Sequence, residues 1–358
     1  MSKLRLGVIG AGFMAVYSHI PILAARDDVA LTGVCRLAAE PLRLVQEQFG
    51  FEHASENYRD ILDLGLDLVV VASPPSLHFE HASAALDSGA HVLCEKPFTL
   101  APEDAWSLVR QAEAQDRHLV LAFGWNYKEM TRTAKQLANE GVGDIEHVEI
   151  HMASVTRELL QAVGDYHLKS DITAPEAATW TDPRLSGGGF AQAQLSHALG
   201  LALWLTDLRG AEVFARMHDL GGTAPVELHN AFSISYTNGA IGTMSGASCP
   251  AGAGKDKQQL EVKIFGSDGM LVLDYDRELI WHYRDSEREQ RLVPPADSGR
   301  YDCIGPPNAL VDLALGAEVE NCSPAFIGAR TVEIIEAGYR SASSGRSEPC
   351  YQSTSDVA

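Results

Sequence analysis

Leu4-Arg-Leu-Gly-Val-Ile-Gly10-Ala-Gly12-Phe-Met-Ala15 is the stretch on which the fold of this chain turns. Leu4–Ile9 is a short apolar run rich in strand formers, and Gly10–Gly12 is a turn. Phe13–Arg26 then reads as a helix that Pro21 kinks or shortens. The spacing G-x-G-x-x-A, set between a strand and a helix, has a physical meaning. Its first glycine permits the tight turn, its second lets backbone approach a pyrophosphate, and a small third residue lets helix and strand pack closely. The helix N-terminus adds N–H donors and the positive end of its dipole. The pattern predicts dinucleotide binding at Gly10, Gly12, Phe13 and Met14.

Outward from this unit the alternation continues. Ala30–Cys35 reads as a strand, and Pro41–Phe49 as a helix with Leu42, Val45 and Phe49 on one face. Asp67–Ser73 is a continuous apolar strand of the kind parallel sheets bury on both faces. A helix at Leu77–Ser88, a strand at His91–Glu95, a helix at Pro102–Asp116 and a strand at His118–Phe123 follow. Such alternation predicts βαβ units and a parallel, doubly wound α/β sheet over residues 1–122.

Character changes after residue 123. Lys128–Asn139 predicts a helix, Asp144–Val155 a long strand, and 157–186 an irregular stretch. Gly187–Gly189 leads into a helix reaching Leu205, and residues 211–285 hold several alternating strands. Asn238-Gly239 and Asp268-Gly269 between such runs are hairpin signals. Helices near Asn308–Leu315 and Pro324–Ser341 close the chain, and its last dozen residues read as loose. Residues 123–345 are thus expected to form an α+β domain on a mostly antiparallel sheet.

Composition narrows the functional classes. The 358 residues carry 48 acidic and 28 basic side chains, net −20, spread evenly along the chain. That charge argues against binding nucleic acid and is most simply a solvated surface. No run approaches the ~20 apolar residues of a membrane span, and the N-terminus carries no secretory signal, so a cytoplasmic protein is expected. Cys35, Cys94, Cys249, Cys303, Cys322 and Cys350 are scattered and read as reduced thiols. No metal site is expected: His147 and His151 fall about 13 Å apart on a strand, too far to share an ion.

The second predicted strand ends Val34-Cys35-Arg36, with no carboxylate before Glu40 to read a ribose 2′-hydroxyl. A guanidinium at Arg36 suits a 2′-phosphate, which favours NADP over NAD.

Residues 67–97 carry a more specific likeness. Asp67-Leu-Val-Val-Val-Ala-Ser-Pro-Pro-Ser-Leu-His78, followed by Ala85-Leu-Asp-Ser-Gly-Ala-His-Val-Leu-Cys-Glu95-Lys96-Pro97, resembles the glucose–fructose oxidoreductase / inositol dehydrogenase / MocA family. Trp180-x-Asp182-Pro183, then Gly187-Gly188-Gly189 followed by His197, is similar to its second signature. The resemblance implies a Rossmann domain and a C-terminal α/β domain whose large open sheet serves oligomerisation, as a homodimer or homotetramer. It implies NAD(P)-dependent hydride transfer to or from a secondary alcohol or ketone of a sugar, sugar derivative or cyclitol. It also places Lys96 beside nicotinamide and substrate, and Glu95, Ser73, Pro74 and His78 near the cofactor.

Oxidising an alcohol requires a hydride acceptor, a base and a group that stabilises alkoxide charge. Lysine needs a pKa lowered by about 3 units to act as the base near neutrality, whereas histidine needs almost none. His197 is therefore expected as general acid/base and Lys96 as cationic donor to the reacting oxygen, with Lys96, Tyr127 or Tyr166 as substitutes. Trp125, Asn126, Tyr127, Trp180, Asp182 and Gln194 are expected around the substrate, since rings and amides suit a pyranose. Ala193 and Gly200 stand where the family commonly has aspartates, which sets this substrate apart from the common inositol or glucose type. A non-catalytic dinucleotide-binding sensor and a redox-neutral glycoside hydrolase are the rival readings.

Overall fold

Strands without a polar face are stable only between two covering layers, and the first sheet is built that way. The computed structural model describes residues 3–163, 170, 172–250, 258–285 and 287–352. β1 (Leu4–Ile9) runs through the glycine turn into a π turn (Ala15–His19) and α1 (Ile20–Ala24). Pro21, at the second position of α1, has no N–H to give, and the turn before it is widened. There follow β2 (Val29–Cys35), α2 (Ala39–Phe49), β3 (His53–Ser55), α3 (Tyr58–Leu62), β4 (Leu68–Val71) and α4 (His78–Asp87). β5 (His91–Cys94), α5 (Pro102–Ala114) and β6 (Leu119–Leu121) complete this layer. All six strands are parallel, in the order β3-β2-β1-β4-β5-β6. Connections leave β1 in opposite directions, and the crevice at the carboxyl ends of β1 and β4 is where such sheets bind ligands.

The second half contains α6 (Glu129–Gly141), β7 (Ile145–Val155), three short helices α7 (Arg157–Gln161), α8 (Ala177–Thr181) and α9 (Pro183–Ser186), and α10 (Ser196–Thr206). β8 (Gly210–His218), β9 (His229–Tyr236), β10 (Ile241–Cys249), β11 (Gln259–Gly266), β12 (Gly269–Asp274), β13 (Leu279–Tyr283) and β14 (Glu289–Leu292) follow. After α11 (Gly305–Ala314) and α12 (Ala325–Ser344) comes the short β15 (Glu348–Pro349). The nine-stranded sheet runs β14-β13-β12-β11-β7-β10-β9-β8-β15 and is antiparallel except where β10 lies parallel to β7. Alternation is clearest in β9, where Asn230, Phe232, Ile234 and Tyr236 are buried while Ala231, Ser233 and Ser235 face out. One face packs on α10 and α12, and the other is open.

Asn238-Gly239 turns β9 into β10, with Gly239 at φ +91° and the Asn238 carboxamide accepting from Ala240 N–H. Asp268-Gly269 likewise joins β11 to β12. Sequence reading missed β3 and α3, each too short to show a periodicity. The expectation of a loose C-terminus is corrected for its first residues: Glu348–Pro349 pairs with β8, and Arg340 binds Glu348 at 3.0 Å. α12 also packs on α5 of the first layer, and α11 on β5, so the end of the chain returns across the division near residue 122. Among the described residues no helix is long and apolar enough to cross a membrane, and the six cysteines are free.

Leu93, in the centre of β5, is wholly buried. Leu93→Ala should lower the free energy of unfolding by about 2–5 kcal/mol, read as a reduced urea midpoint at unchanged slope.

Candidate active site

The carboxyl ends of β1, β2, β4 and β5 open into one cavity of about 320 Å³. Gly10, Gly12, Phe13, Met14, Arg36, Ser73, Pro74, His78, Glu95 and Lys96, all expected at the cofactor, line it. Gly10 sits at φ +83°, and a Cβ there would fall on the Ser73 backbone, so the turn is closed to any side chain. At Gly12 an added Cβ would meet only the Gly10 carbonyl, 3.9 Å away, leaving room for a ligand to approach the backbone. The residues present therefore fit a dinucleotide.

Arg36 leaves the end of β2 and turns over this site. Its guanidinium donates to Ala11 O at 3.0 Å and to Thr173 Oγ1 at 3.2 Å, and lies 3.6 Å from the Glu176 carboxylate. Thr173 and Glu176 come from the second half of the chain, so Arg36 ties both halves together across the crevice. His78 is fully buried, its ring nitrogens 2.8 Å from Pro97 O and from Ser73 O, clipping the loop after β4 to that after β5. His81 touches the Ser73 hydroxyl, and burial pushes it down to about 4.

Lys96 follows β5. Its Nζ donates to Ala193 O at 2.8 Å and lies 5.9 Å from the Trp180 ring centroid. Burial moves the amine below its ordinary value, with the Glu95 charge opposing. Glu95 is 6% exposed; its Oε1 lies 2.7 Å from His19 Nε2, and its Oε2 accepts from Lys96 N at 2.9 Å. Burial favours the neutral acid, but His19 and Lys96 outweigh it and hold the carboxyl below its ordinary range.

His197 does not line the cavity. It is buried between Phe123, Trp125 and Tyr301, with centroids 6.2, 5.2 and 5.3 Å away, and its Nδ1 has no partner among the described residues. Burial and then the Lys96 charge push it well below its ordinary value, so the ring stays neutral.

The substrate expectations divide. Trp180 lines the cavity. Trp125 does not: it packs behind His197. Asn126 is buried and donates to Cys322 O at 2.9 Å, and Tyr127 bonds Asn321 and Ser323, its phenol pushed up by burial. Asn126 and Tyr127 are thus spent on packing the 321–323 segment, and Trp125 on packing His197 and Tyr301. Asp182 caps α9 through Arg184 N–H and pairs with the Arg184 guanidinium. Gln194 is buried off the cavity; Gln192, two residues earlier, lines it instead. The π turn at Ala191–Leu195 sets which residues face in, a feature helical periodicity does not reveal. Glu227 anchors that turn, accepting from Gly189 N and Ala191 N at 2.8 Å. Tyr166 lies outside the described residues.

Sequence reasoning missed four neighbours. Tyr301 and Cys303, just before α11, lie close enough to feel the Glu95 charge, and Cys303 that of Lys96 too, without any motif to announce them. Thr173 and Glu176 came from a stretch read as irregular. Among the described residues no group of three metal-ligating side chains converges.

A glycine turn, a parallel-sheet crevice and an amine beside a buried carboxylate define a dinucleotide-dependent oxidoreductase fold. Residues 4–123 match the profile "Oxidoreductase family, NAD-binding Rossmann fold", and 131–272 match the "GFO/IDH/MocA C-terminal domain". The chain belongs to the glucose–fructose oxidoreductase / inositol dehydrogenase / MocA family. It is 30% identical over 148 residues to D-glucoside 3-dehydrogenase of Escherichia coli K12, covering 40% of this chain and 42% of that one. It is 24% identical over 327 residues to levoglucosan dehydrogenase of Pseudarthrobacter phenanthrenivorans, covering 77% and 75%. A structure of levoglucosan dehydrogenase with NADH and levoglucosan superposes with a TM-score of 0.75 at 20% identity, over 98% of this chain and 100% of that one.

The lowered Lys96 value means that its neutral amine gains population at lower pH than in an unfolded chain. Its arylation by fluorodinitrobenzene, followed by peptide mass spectrometry, should titrate below that of the same residue in urea.

Proposed function

We propose that this protein is an NADP-preferring dehydrogenase or reductase that interconverts a secondary alcohol and a ketone on a sugar-like ring. One observation carries the reading: Lys96 and the Gly10–Gly12 turn open onto the same crevice. The relatives named for glucoside and levoglucosan oxidation support the substrate class.

The bound nicotinamide would supply the hydride acceptor or donor. Lys96 holds the reacting oxygen and carries its proton, because it is the titratable amine on the cavity wall and burial brings it toward working pH. His197 stands behind it as a buried ring that burial and the Lys96 charge keep neutral. This reverses the emphasis expected from ordinary pKa values, which favoured histidine as the base. Trp180 offers a ring face, and Gln192 a carboxamide for hydrogen bonds. Ala193 offers no side-chain acceptor, so a less hydroxylated or anhydro sugar suits this wall better than inositol.

Arg36 supports NADP: it lines the cavity at the end of β2, where no carboxylate stands to read a ribose. The open face of the nine-stranded sheet suits self-association as a dimer or tetramer.

Lys96→Ala should lower turnover by about three orders of magnitude or more while leaving reduced-cofactor binding intact. Absorbance at 340 nm over a panel of sugars and cyclitols reads this, and no change with any of them for the wild type would favour a sensor. Arg36→Ala should raise KM for NADP at least tenfold and leave that for NAD within about threefold.

A further inference from the structure

His19 is wholly buried, at the end of the π turn that follows the glycine turn. Its Nε2 lies 2.7 Å from Glu95 Oε1, and its Nδ1 has no partner among the described residues. A proton on Nδ1 would be a buried donor with nothing to bind, the costly kind of vacancy; a lone pair there costs less. The ring therefore donates Nε2–H to Glu95, whose carboxyl is held below its ordinary range. The other Glu95 oxygen is taken by Lys96 N–H. These are the hydrogen-bond donors to this carboxylate among the described residues; His78, Tyr301 and Cys303 feel its charge without bonding it. Glu95 itself lines the cavity.

We propose that His19 is a positioning residue that pins Glu95 as a fixed negative charge in the cofactor cavity, and that this charge makes the site prefer the oxidised dinucleotide to the reduced one. The two redox states differ by one positive charge, so a buried carboxylate beside them cannot treat them alike. This rests on the reading that the cavity holds NADP. Without the His19 donor, Glu95 keeps a single hydrogen bond in a buried setting and takes up a proton, and the preference disappears.

The test is binding of NADP⁺ and of NADPH, separately, to the full-length wild type and to His19→Leu, His19→Gln and Glu95→Gln. His19→Leu and Glu95→Gln should each weaken NADP⁺ about tenfold more than NADPH, from loss of one charge nearby. His19→Gln retains an N–H donor and should stay within about threefold of wild type for both forms. Equal weakening of the two forms in His19→Leu, no weakening in either, or a His19→Gln variant as selective as His19→Leu would overturn the proposal, as would a wild type that binds neither form. If His19→Leu fails to fold, the contrast between His19→Gln and Glu95→Gln decides alone. A wild type that binds both forms but oxidises no sugar defeats the dehydrogenase reading only, and the binding ratio still decides this one.

Discussion

An amine and a carboxylate drawn out of water at the end of one strand constrain everything around them. Neither Glu95 nor Lys96 could stay charged there alone, because burial favours the neutral form of each. Each is therefore held by groups from distant parts of the chain: His19 from the first helical stretch, the Ala193 carbonyl from the π turn before α10. The site exists only when both sheets are in place.

The fold supplies those partners through two backbone constraints. Gly10 brings the first turn against Ser73, a contact no side chain tolerates, which sets the helix that carries His19. Glu227, buried and bonded to Gly189 and Ala191, sets the turn that presents Ala193 to Lys96. His78 joins the loops between them. In a chain of net charge −20, Arg36 and Lys96 are the lysine and arginine side chains that line the cavity.

Much of this was legible in the sequence where local pattern decides structure. The parallel sheet followed from continuous apolar strands alternating with helices, and the residues lining the crevice followed from the glycine turn and from strand ends. The hairpins at Gly239 and Gly269 followed from turn chemistry. What escaped depends on long-range packing or on departures from regular helix. Trp125, Asn126 and Tyr127 follow a parallel strand, as substrate residues often do, yet α11 and the 321–323 segment cover them. Asp182 was taken up by the cap of a helix too short to foresee. Gln192 rather than Gln194 faces the cavity because a π turn shifts the helical phase. Tyr301 and Cys303 lie more than 200 residues from Lys96, and only the return of the chain to the first sheet brings them there.

A crystal structure grown with NADP⁺ tests the central claim most directly. The account predicts the pyrophosphate against Gly10–Gly12, the 2′-phosphate on Arg36, and the nicotinamide beside Lys96 with space for a sugar ring under Trp180. A cofactor bound away from Lys96, or a Lys96 buried beneath it with no open path to the nicotinamide, would contradict it.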